Sequence, residues 1–252
     1  PALDLATTTE RVAPTHKLRC GPVRRFAGGG GINVARVLHR LGADVQAWAL
    51  AGGAAGAQVR QLLADEGVAT ALQPIAGDTR ENFSVVETGT GEEFRFVLPG
   101  PTLQAAEWQA CLAALTALQA PPRWLIASGS LPPGVPDDLY AQLAQALTAR
   151  GVRVVVDTSG PALAAALQAG VALVKPSLRE LREVMQQPLA QAPDWCRAAQ
   201  SLVNTGAASI VALSVGEQGA VLATREGVWQ APALNVPATT GTTGAGDCFL
   251  AA

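Results

Sequence analysis

The chain has few charged residues, few aromatic residues and no apolar run of membrane-spanning length. Charged residues make up 15% and aromatic residues 4% of its 252 positions, and the net charge is −2. A protein that binds nucleic acid usually presents a strongly basic face, so this charge disfavours nucleic acid as the main partner. The N-terminus also lacks the charged-then-apolar pattern of a signal segment, so neither export nor membrane insertion is expected.

Cysteine and lysine are scarce as well. The four cysteines are scattered and form no C-x-x-C pair: Cys20, Cys111, Cys196 and Cys248. This spacing disfavours a disulfide framework or a zinc site and predicts reduced thiols in a cytoplasmic protein. Lys17 and Lys175 are the only lysines beside sixteen arginines. Because a compact ammonium differs from a planar guanidinium in geometry and hydration, these two lysines are weak functional candidates.

Hydrophobic residues, by contrast, make up 49% of the chain and follow an alternating pattern. Short β-type runs at 124–131, 152–160, 171–177 and 208–216 alternate with longer runs rich in alanine and leucine. Such alternation indicates βαβ units. The sequence therefore predicts an α/β fold with a mainly parallel, doubly wound sheet that helices cover on both faces.

Two stretches interrupt this alternation and predict a small β lid. Residues 83–98 resemble a hairpin around the glycines at 89 and 91, and residues 11–27 are irregular and β-like. We expect a lid from about 11–27 and 82–98, inserted in a single α/β domain that covers 1–252. We also expect flanking segments at both ends, because no apolar strand precedes PALD and little follows Asp247.

Polar residues follow the predicted parallel strands, where open α/β sheets bind their ligands. They are Ser128 to Ser130 after one strand, Asp157 on the next, Lys175 after the third and Ser214 to Gly216 after the fourth. Each of them alone could belong to an ordinary turn. Their shared edge of the sheet favours a binding site.

The first glycine run, GGGGINVAR, opens an amphipathic helix but fits neither common nucleotide motif. A dinucleotide fingerprint would need a third glycine where Asn33 or Val34 stands, and the chain contains no G-K-[ST] sequence. Gly28 and Gly29 still allow the backbone to approach a ligand, and Asn33 supplies a donor and an acceptor. This suits a hydroxyl-rich ligand. The alternative is a tight turn in which Asn33 satisfies only local backbone.

The second glycine run, TTGTTGAGD, could hold an anion next to an acid. Gly244 and Gly246 let backbone N–H groups converge at the start of a helix, where the helix dipole favours negative charge. Asp247 then lies in the first turn, where it could act as a base during phosphoryl transfer. The alternative is a capping acid worth about 1 kcal/mol, which would leave the glycines unexplained.

Eight stretches together resemble the ribokinase-like, PfkB-type carbohydrate kinases. They are KLRCGPV, GGGGINVARVL, TREN, EEFRFVLPG, SGSLPPGV, VDTSGPAL, LVKP and GTTGAGD, in family order over nearly the whole chain. The resemblance implies a three-layer α/β/α kinase with a β lid. Gly30 stands where relatives that act on tagatose 6-phosphate or fructose 1-phosphate often have lysine, which favours the 6-phosphofructokinase branch.

The resemblance also implies roles for the phosphoryl-transfer residues. Asp247 would remove the proton from the 1-hydroxyl of fructose 6-phosphate, which then attacks the γ-phosphate of MgATP. The backbone N–H groups of Gly244, Ala245 and Gly246 would form the anion hole. The nucleotide would be bound by the following four residues: Lys175, Ser214, Gly216 and Thr242.

On the sugar side, the resemblance implies contacts to hydroxyls, to the 6-phosphate and to a second subunit. Positions that bind hydroxyls are matched by the following residues: Asp4, Gly28, Gly29 and Asn33. Arg80 and Ser130 match residues that hold the 6-phosphate. Lys17 matches a lysine that reaches into the neighbouring subunit's site, because lids of this family pair into homodimers.

One departure from the family pattern concerns the metal. The usual N-x-x-E motif is SLRE here, so Ser177 replaces the amide while Glu180 is kept to hold Mg²⁺ through a water. A tagatose-6-phosphate or fructose-1-phosphate kinase is the nearest alternative. A non-catalytic sugar-phosphate sensor is more remote, and a nicotinamide-dependent oxidoreductase is disfavoured by the failed fingerprint.

Overall fold

The computed structural model describes residues 1–234 and 244–252, which fall into two compact units. Unit 1 contains Pro1–Trp108, Pro132–Gly134 and the C-terminal residues from 244 onward. Unit 2 contains Gln109–Leu131 and the chain from Val135 to residue 234. Among the described residues, no helix combines the length and apolarity that a membrane crossing requires.

Unit 1 begins with strands and helices in the following order: β1 (Ala2–Thr9), β2 (Arg24–Gly28), α1 (Gly30–Arg40), β3 (Gln46–Ala51), α2 (Gly53–Asp65), β4 (Ala69–Pro74), β5 (Glu81–Glu87) and β6 (Glu93–Val97). The first two and last two strands form one sheet of order β2-β1-β5-β6, in which β1 runs parallel to β5. The predicted hairpin is confirmed, because β5 and β6 pair antiparallel.

Register in this sheet places polar residues from neighbouring strands side by side. Asp4 of β1 lies opposite Phe26 of β2 and opposite Asn82 of β5, and Asn82 in turn lies opposite Val97 of β6. Side chains alternate between the two faces of a strand, so these four residues share one face. The opposite face carries Leu3, which packs with α1 and α2 in the core of the unit.

The remaining elements, in chain order, are the following: α3 (Ala105–Thr116), β7 (Trp124–Ser128), α4 (Leu139–Thr148), β8 (Arg153–Asp157), α5 (Gly160–Ala169), β9 (Val171–Val174), α6 (Leu178–Met185), α7 (Ala192–Asn204), β10 (Ala208–Ser214), β11 (Ala220–Thr224), β12 (Gly227–Ala231) and α8 (Ala245–Ala251). The six strands β7 to β12 form the sheet of unit 2, in the order β12-β11-β10-β9-β8-β7. Its strands β7 to β10 pair in parallel.

This sheet confirms the α/β fold class and the four predicted strands. Val154, Val156 and Val174 are fully buried, as expected for parallel strands with neighbours on both faces. Helices α4, α5 and α7 pack on its strands. The alternation of apolar strands and helices was therefore a sufficient signal for this unit.

The N-terminal segments differ from the sequence prediction in two ways. Residues 2–9 form β1, a strand that was not predicted, because ALDLATTT has only a short apolar alternation before its threonines. Of the β-like stretch 11–27, the structure gives strand from Arg24 onward, while 11–23 contains neither helix nor strand. The lid as a separate insertion stays a prediction.

Candidate active site

Helix α8 in unit 1 brings Asp247 to the first glycine run. The helix starts after Gly244, whose φ of 80° lies in the left-handed region that glycine adopts freely. Asn33 of α1 donates a hydrogen bond from Nδ2 to Asp247 Oδ2 over 2.8 Å. The amide of Asn33 is thus bonded to a residue 214 positions away, which disfavours a role restricted to the local turn.

The start of α8 combines glycine-rich backbone with the acid of the first helical turn. The first N–H groups of any helix have no partner within the helix, and here they belong to the glycine-rich segment. Ala245 and Gly246 are exposed, and Asp247 is half-buried. The first turn of α8 therefore lies partly exposed with the Asp247 carboxylate in it, and the anion hole at its N–H groups stays a prediction. Thr242 lies outside the described residues.

Asp4 lies on β1, and its carboxylate is held by two neighbouring strands. Asn82 donates from Nδ2 to Asp4 Oδ1 over 2.8 Å. On the β2 side, a Cβ atom added to Gly28 would lie 2.0 Å from Asp4 Oδ2, so any other residue there would displace this carboxylate from its position. Sequence analysis missed Asn82, although asparagine is uncommon inside a strand and this rarity was an available signal.

A cavity of about 420 Å³ opens over this face of the sheet, and unit 1 alone lines it. Its polar lining includes Asp4, Asn33 and Asn82, and it is bordered by Gly244, which precedes α8, and by Cys248 of α8. The structure thus gathers two of the predicted hydroxyl-binding residues and the start of the GAGD helix around one space.

The other predicted sugar-side residues of unit 1 do not line this cavity. Gly29 precedes α1 with a φ of 117°, and Arg80 precedes β5, where its carbonyl accepts a hydrogen bond from the Leu3 N–H. Lys17 is exposed in the irregular segment before β2. Their predicted contacts stay predictions.

In unit 2, the ends of the parallel strands hold a buried ion pair. Lys175 Nζ lies 3.0 Å from Asp157 Oδ1, and the two side chains are only 7% and 15% exposed. Ser128 lies opposite Asp157 in the β7–β8 register and donates from Oγ to Asp157 Oδ2 over 3.4 Å. The predicted clustering of these strand-end residues is therefore present, and Asp157 compensates the charge of Lys175. Ser130, which follows β7, is exposed.

Ser177 and Glu180 form a reciprocal cap at the start of α6. The Glu180 N–H donates to Ser177 Oγ over 3.3 Å, and the Ser177 N–H donates to Glu180 Oε2 over 2.7 Å. This capping box satisfies two backbone donors that the helix itself cannot satisfy. Ser177, which departs from the family pattern, thus has a clear local function together with Glu180.

Ser214 ends β10 beside this cap. Its N–H donates to the Pro176 carbonyl over 3.0 Å, and Gly216 follows with a φ of 58° in the left-handed region. The carboxyl ends of the four parallel strands β7 to β10 therefore lie at one edge of the sheet of unit 2, as parallel topology predicts. Among the described residues, no group of three or more His, Cys, Asp or Glu side chains is placed to hold a metal.

Comparison with known proteins adds relatives of defined activity. The chain is 44% identical to the ATP-dependent 6-phosphofructokinase isozyme 2 of Mycobacterium tuberculosis, covering all of this chain and 74% of that protein. It is 41% identical to the enzyme of the same name from Escherichia coli, again over the whole chain and 81% of the relative. A 1-phosphofructokinase of Xanthomonas campestris is less similar, at 35%.

Solved structures agree with these sequence relatives. Phosphofructokinase-2 of Escherichia coli in complex with fructose-6-phosphate matches with a TM-score of 0.93 and 40% identity, over 99% of this chain and 82% of that one. The tetrameric inhibited form of the same enzyme matches with a TM-score of 0.94. The family described as pfkB family carbohydrate kinase matches residues 2–252. With the strand topology and the two glycine motifs in place, the chain belongs to the PfkB family of carbohydrate kinases.

Proposed function

We propose that this protein is an ATP-dependent 6-phosphofructokinase, which transfers the γ-phosphate of ATP to the 1-hydroxyl of fructose 6-phosphate. The observation that carries the proposal is the hydrogen bond from Asn33 to Asp247, since it joins the two glycine motifs at one carboxylate. Relatives with this name are more similar to the chain than the 1-phosphofructokinase is.

Asp247 acts as the general base of the transfer. Its Oδ2 is occupied by the Asn33 amide, so the attacking hydroxyl donates its proton to Oδ1. A positioned base of this kind contributes about 10²- to 10⁴-fold to the rate. The transferring phosphoryl group gathers negative charge on its oxygens, which the N–H groups of Gly244, Ala245 and Gly246 stabilise at the start of α8.

The sugar is held by its hydroxyls and by its phosphate. Asp4 accepts hydrogen bonds from the sugar hydroxyls, and Asn33 can both donate to them and accept from them. Gly28 and Gly29 let the backbone approach the sugar closely. Arg80 and Ser130 hold the 6-phosphate, and Lys17 reaches the site of a neighbouring subunit. Support for Asp4 and Asn33 comes from their shared cavity in unit 1.

The nucleotide is held by residues of unit 2 and by Thr242. Lys175 interacts with the ATP phosphates as a point charge, and Ser214 and Gly216 line the nucleotide site. Mg²⁺ usually keeps several waters and takes only one or two carboxylates together with substrate phosphates. Glu180 fits this role, because its Oε2 accepts from the Ser177 N–H while Oε1 is left for a metal-bound water. When bound, Mg²⁺ would neutralise charge on the ATP phosphates.

We also propose that the protein is a homodimer formed through the β2-β1-β5-β6 sheet. Phe83 and Phe96 lie opposite each other on β5 and β6 and are 42% and 53% exposed. Strand β6 is an edge of the sheet, and unpaired edges with apolar side chains favour pairing with another chain. A cytoplasmic location stays a prediction from the sequence.

The test of the reaction compares the unaltered protein with Asp247→Asn. Fructose 6-phosphate, tagatose 6-phosphate and fructose 1-phosphate are each supplied with MgATP, and phosphorylated product is measured. We expect turnover to be fastest with fructose 6-phosphate and kcat of Asp247→Asn to fall by about 10²- to 10⁴-fold, because the base is lost. Calorimetric binding of fructose 6-phosphate should change little.

The matched control is Asp44→Asn, which removes an exposed carboxylate of the same unit. Its kcat should equal that of the unaltered protein. Preferred turnover of tagatose 6-phosphate or fructose 1-phosphate would replace the proposed substrate, and full activity of Asp247→Asn would reject Asp247 as the base.

A further inference from the structure

The two oxygens of the Asp4 carboxylate have different surroundings. Oδ1 accepts the hydrogen bond from Asn82 Nδ2 over 2.8 Å. Oδ2 lies against the bare α-carbon of Gly28, and among the described residues no side chain donates to it. One oxygen is therefore used within the sheet, and the other is left as an acceptor on a residue that lines the cavity.

The amide of Asn82 is fixed in one orientation by its second hydrogen bond. Its Oδ1 accepts from the Leu98 N–H, just beyond the end of β6, over 3.2 Å. A flipped amide would place its NH₂ group against that N–H and its oxygen against the Asp4 carboxylate, so both contacts would become repulsive. Nδ2 must therefore face Asp4.

The register of the sheet restricts the movement of Asp4 and Asn82 relative to each other. Asp4 and Asn82 are direct neighbours in the parallel β1–β5 pair, and Asn82 is the direct neighbour of Val97 in the antiparallel β5–β6 pair. The hydrogen bonds of Asn82 thus connect three adjacent strands through one side chain. A carboxylate held in this way keeps its free oxygen in one direction without a cost in side-chain entropy when a ligand binds.

From this arrangement we propose that Asn82 is a positioning residue for sugar binding, which holds Asp4 so that Oδ2 alone accepts hydrogen bonds from the sugar hydroxyls. The proposal rests on the proposed function, because it requires Asp4 to bind the sugar. Asn82 acts through Asp4 and takes no part in proton or phosphoryl transfer. Its loss should therefore raise KM for the sugar and leave kcat nearly unchanged.

The first test measures steady-state kinetics of Asn82→Ala. We expect KM for fructose 6-phosphate to rise about tenfold, since a hydrogen bond to a charged group is lost and Asp4 becomes free to rotate. KM for ATP and kcat should each stay within about threefold of the unaltered protein. The control is Asn204→Ala, which removes an exposed asparagine at the end of α7 outside this cavity and for which neither constant should change.

The second test uses Asn82→Asp, which keeps the shape of the side chain but replaces its donor with a carboxyl group. Two adjacent carboxyl groups cannot both ionise easily, so the pKa of one of them rises. Below that pKa the introduced group is protonated and can again donate to Asp4 Oδ1. Above it, both groups are charged and Asp4 is pushed out of position.

Sugar affinity of Asn82→Asp should therefore be near that of the unaltered protein at low pH and should fall as pH rises. Calorimetry from pH 5 to 8 measures this, and the ratio of variant to unaltered affinity at each pH removes the titration of the sugar phosphate itself. Other charged or titratable groups line the same cavity: Arg24 of β2, Arg36 and Arg40 of α1, Glu93 and Arg95 of β6, and Cys248 of α8. Two more act near Asp4: burial and the charge of Arg80 lower the pKa of the Pro1 α-amino group, and the charge of Asp4 raises it. They shift the midpoint of the change and leave its direction as stated.

Two results would overturn the role of Asn82. One is an unchanged KM for the sugar in Asn82→Ala, and the other is an affinity ratio for Asn82→Asp that does not vary with pH. Both leave the proposed function in place if the unaltered protein phosphorylates fructose 6-phosphate. Failure of the unaltered protein to bind or phosphorylate any of the three sugar phosphates would reject the proposed function itself, and with it this role.

Discussion

Individual residues of this protein have chemical properties that their type dictates and partners that only the fold supplies. An asparagine at position 33 offers a donor and an acceptor in any structure. That its donor meets Asp247 depends on the packing of α1 against α8, between residues 214 positions apart. The same holds for Lys175, whose charge was evident and whose partner Asp157 was not.

Tyr140 provides a direct test at the residue scale. It is the single tyrosine of the chain, and its hydroxyl donates to the Gly129 carbonyl over 3.0 Å. Burial raises its pKa to about 12, with smaller contributions from the charges of Asp157 and Cys111. We expect the near-ultraviolet absorbance of tyrosinate to appear near pH 12 in the folded protein and near pH 10 after unfolding in urea.

The same shift makes stability fall at alkaline pH. The folded state holds the proton of Tyr140 more tightly than the unfolded state does, so its contribution is complete below pH 10 and is lost between pH 10 and 12. Tyr140→Phe removes this contribution, and its free energy of unfolding should decline less steeply over that interval. Titration of the folded protein at pH 10 would contradict the assignment.

At the scale of elements, the first residues of α6 cap the helix and also include Glu180, the proposed contact to Mg²⁺. Ser177 and Glu180 satisfy each other's backbone N–H groups, and serine, like asparagine, is a good N-cap residue. Leu181, fully buried in the next position, anchors the helix on the unit. The departure from the family pattern at Ser177 therefore leaves a complete helix cap in the structure.

Substitutions at this cap separate stability from nucleotide binding. Ser177→Ala should lower the free energy of unfolding by about 1 kcal/mol, because the side-chain acceptor is lost. Glu180→Gln keeps an acceptor at the third helical position and should change stability by less than about 0.5 kcal/mol. Urea denaturation measures both values.

If Glu180 also holds Mg²⁺ through a water, Glu180→Gln should raise KM for MgATP although its stability is preserved. Ser177→Asn serves as the control, since it keeps the cap and should change neither quantity. A purely structural Glu180 would instead show an unchanged KM for MgATP.

At the scale of the whole molecule, association between chains can be tested on exposed aromatic residues. Phe96 on β6 and Trp229 on β12 are 53% and 49% exposed, and both lie on edge strands, one in each unit. We expect Phe96→Glu to convert a dimer into a monomer, because a charge would be buried in the proposed interface. Light scattering coupled to gel filtration measures the mass.

Trp229→Glu is the matched control and should leave the mass unchanged. A monomeric unaltered protein, or a dimer that persists in Phe96→Glu, would contradict dimerisation through this sheet. A tetramer that dissociates into dimers in Trp229→Glu would place a second interface on β12.

The sequence by itself determined the fold class, the four parallel strands of unit 2, the β5–β6 hairpin and the family, because apolar periodicity and glycine motifs are local signals. It did not identify β1, whose short apolar alternation is stabilised by pairing with β2 and β5 on either side. Nor did it identify Asn82, whose importance comes from register. Only the tertiary structure decided which carboxylate oxygens are occupied and which are free, because hydrogen bonds between distant segments depend on the packing that brings them within about 3 Å.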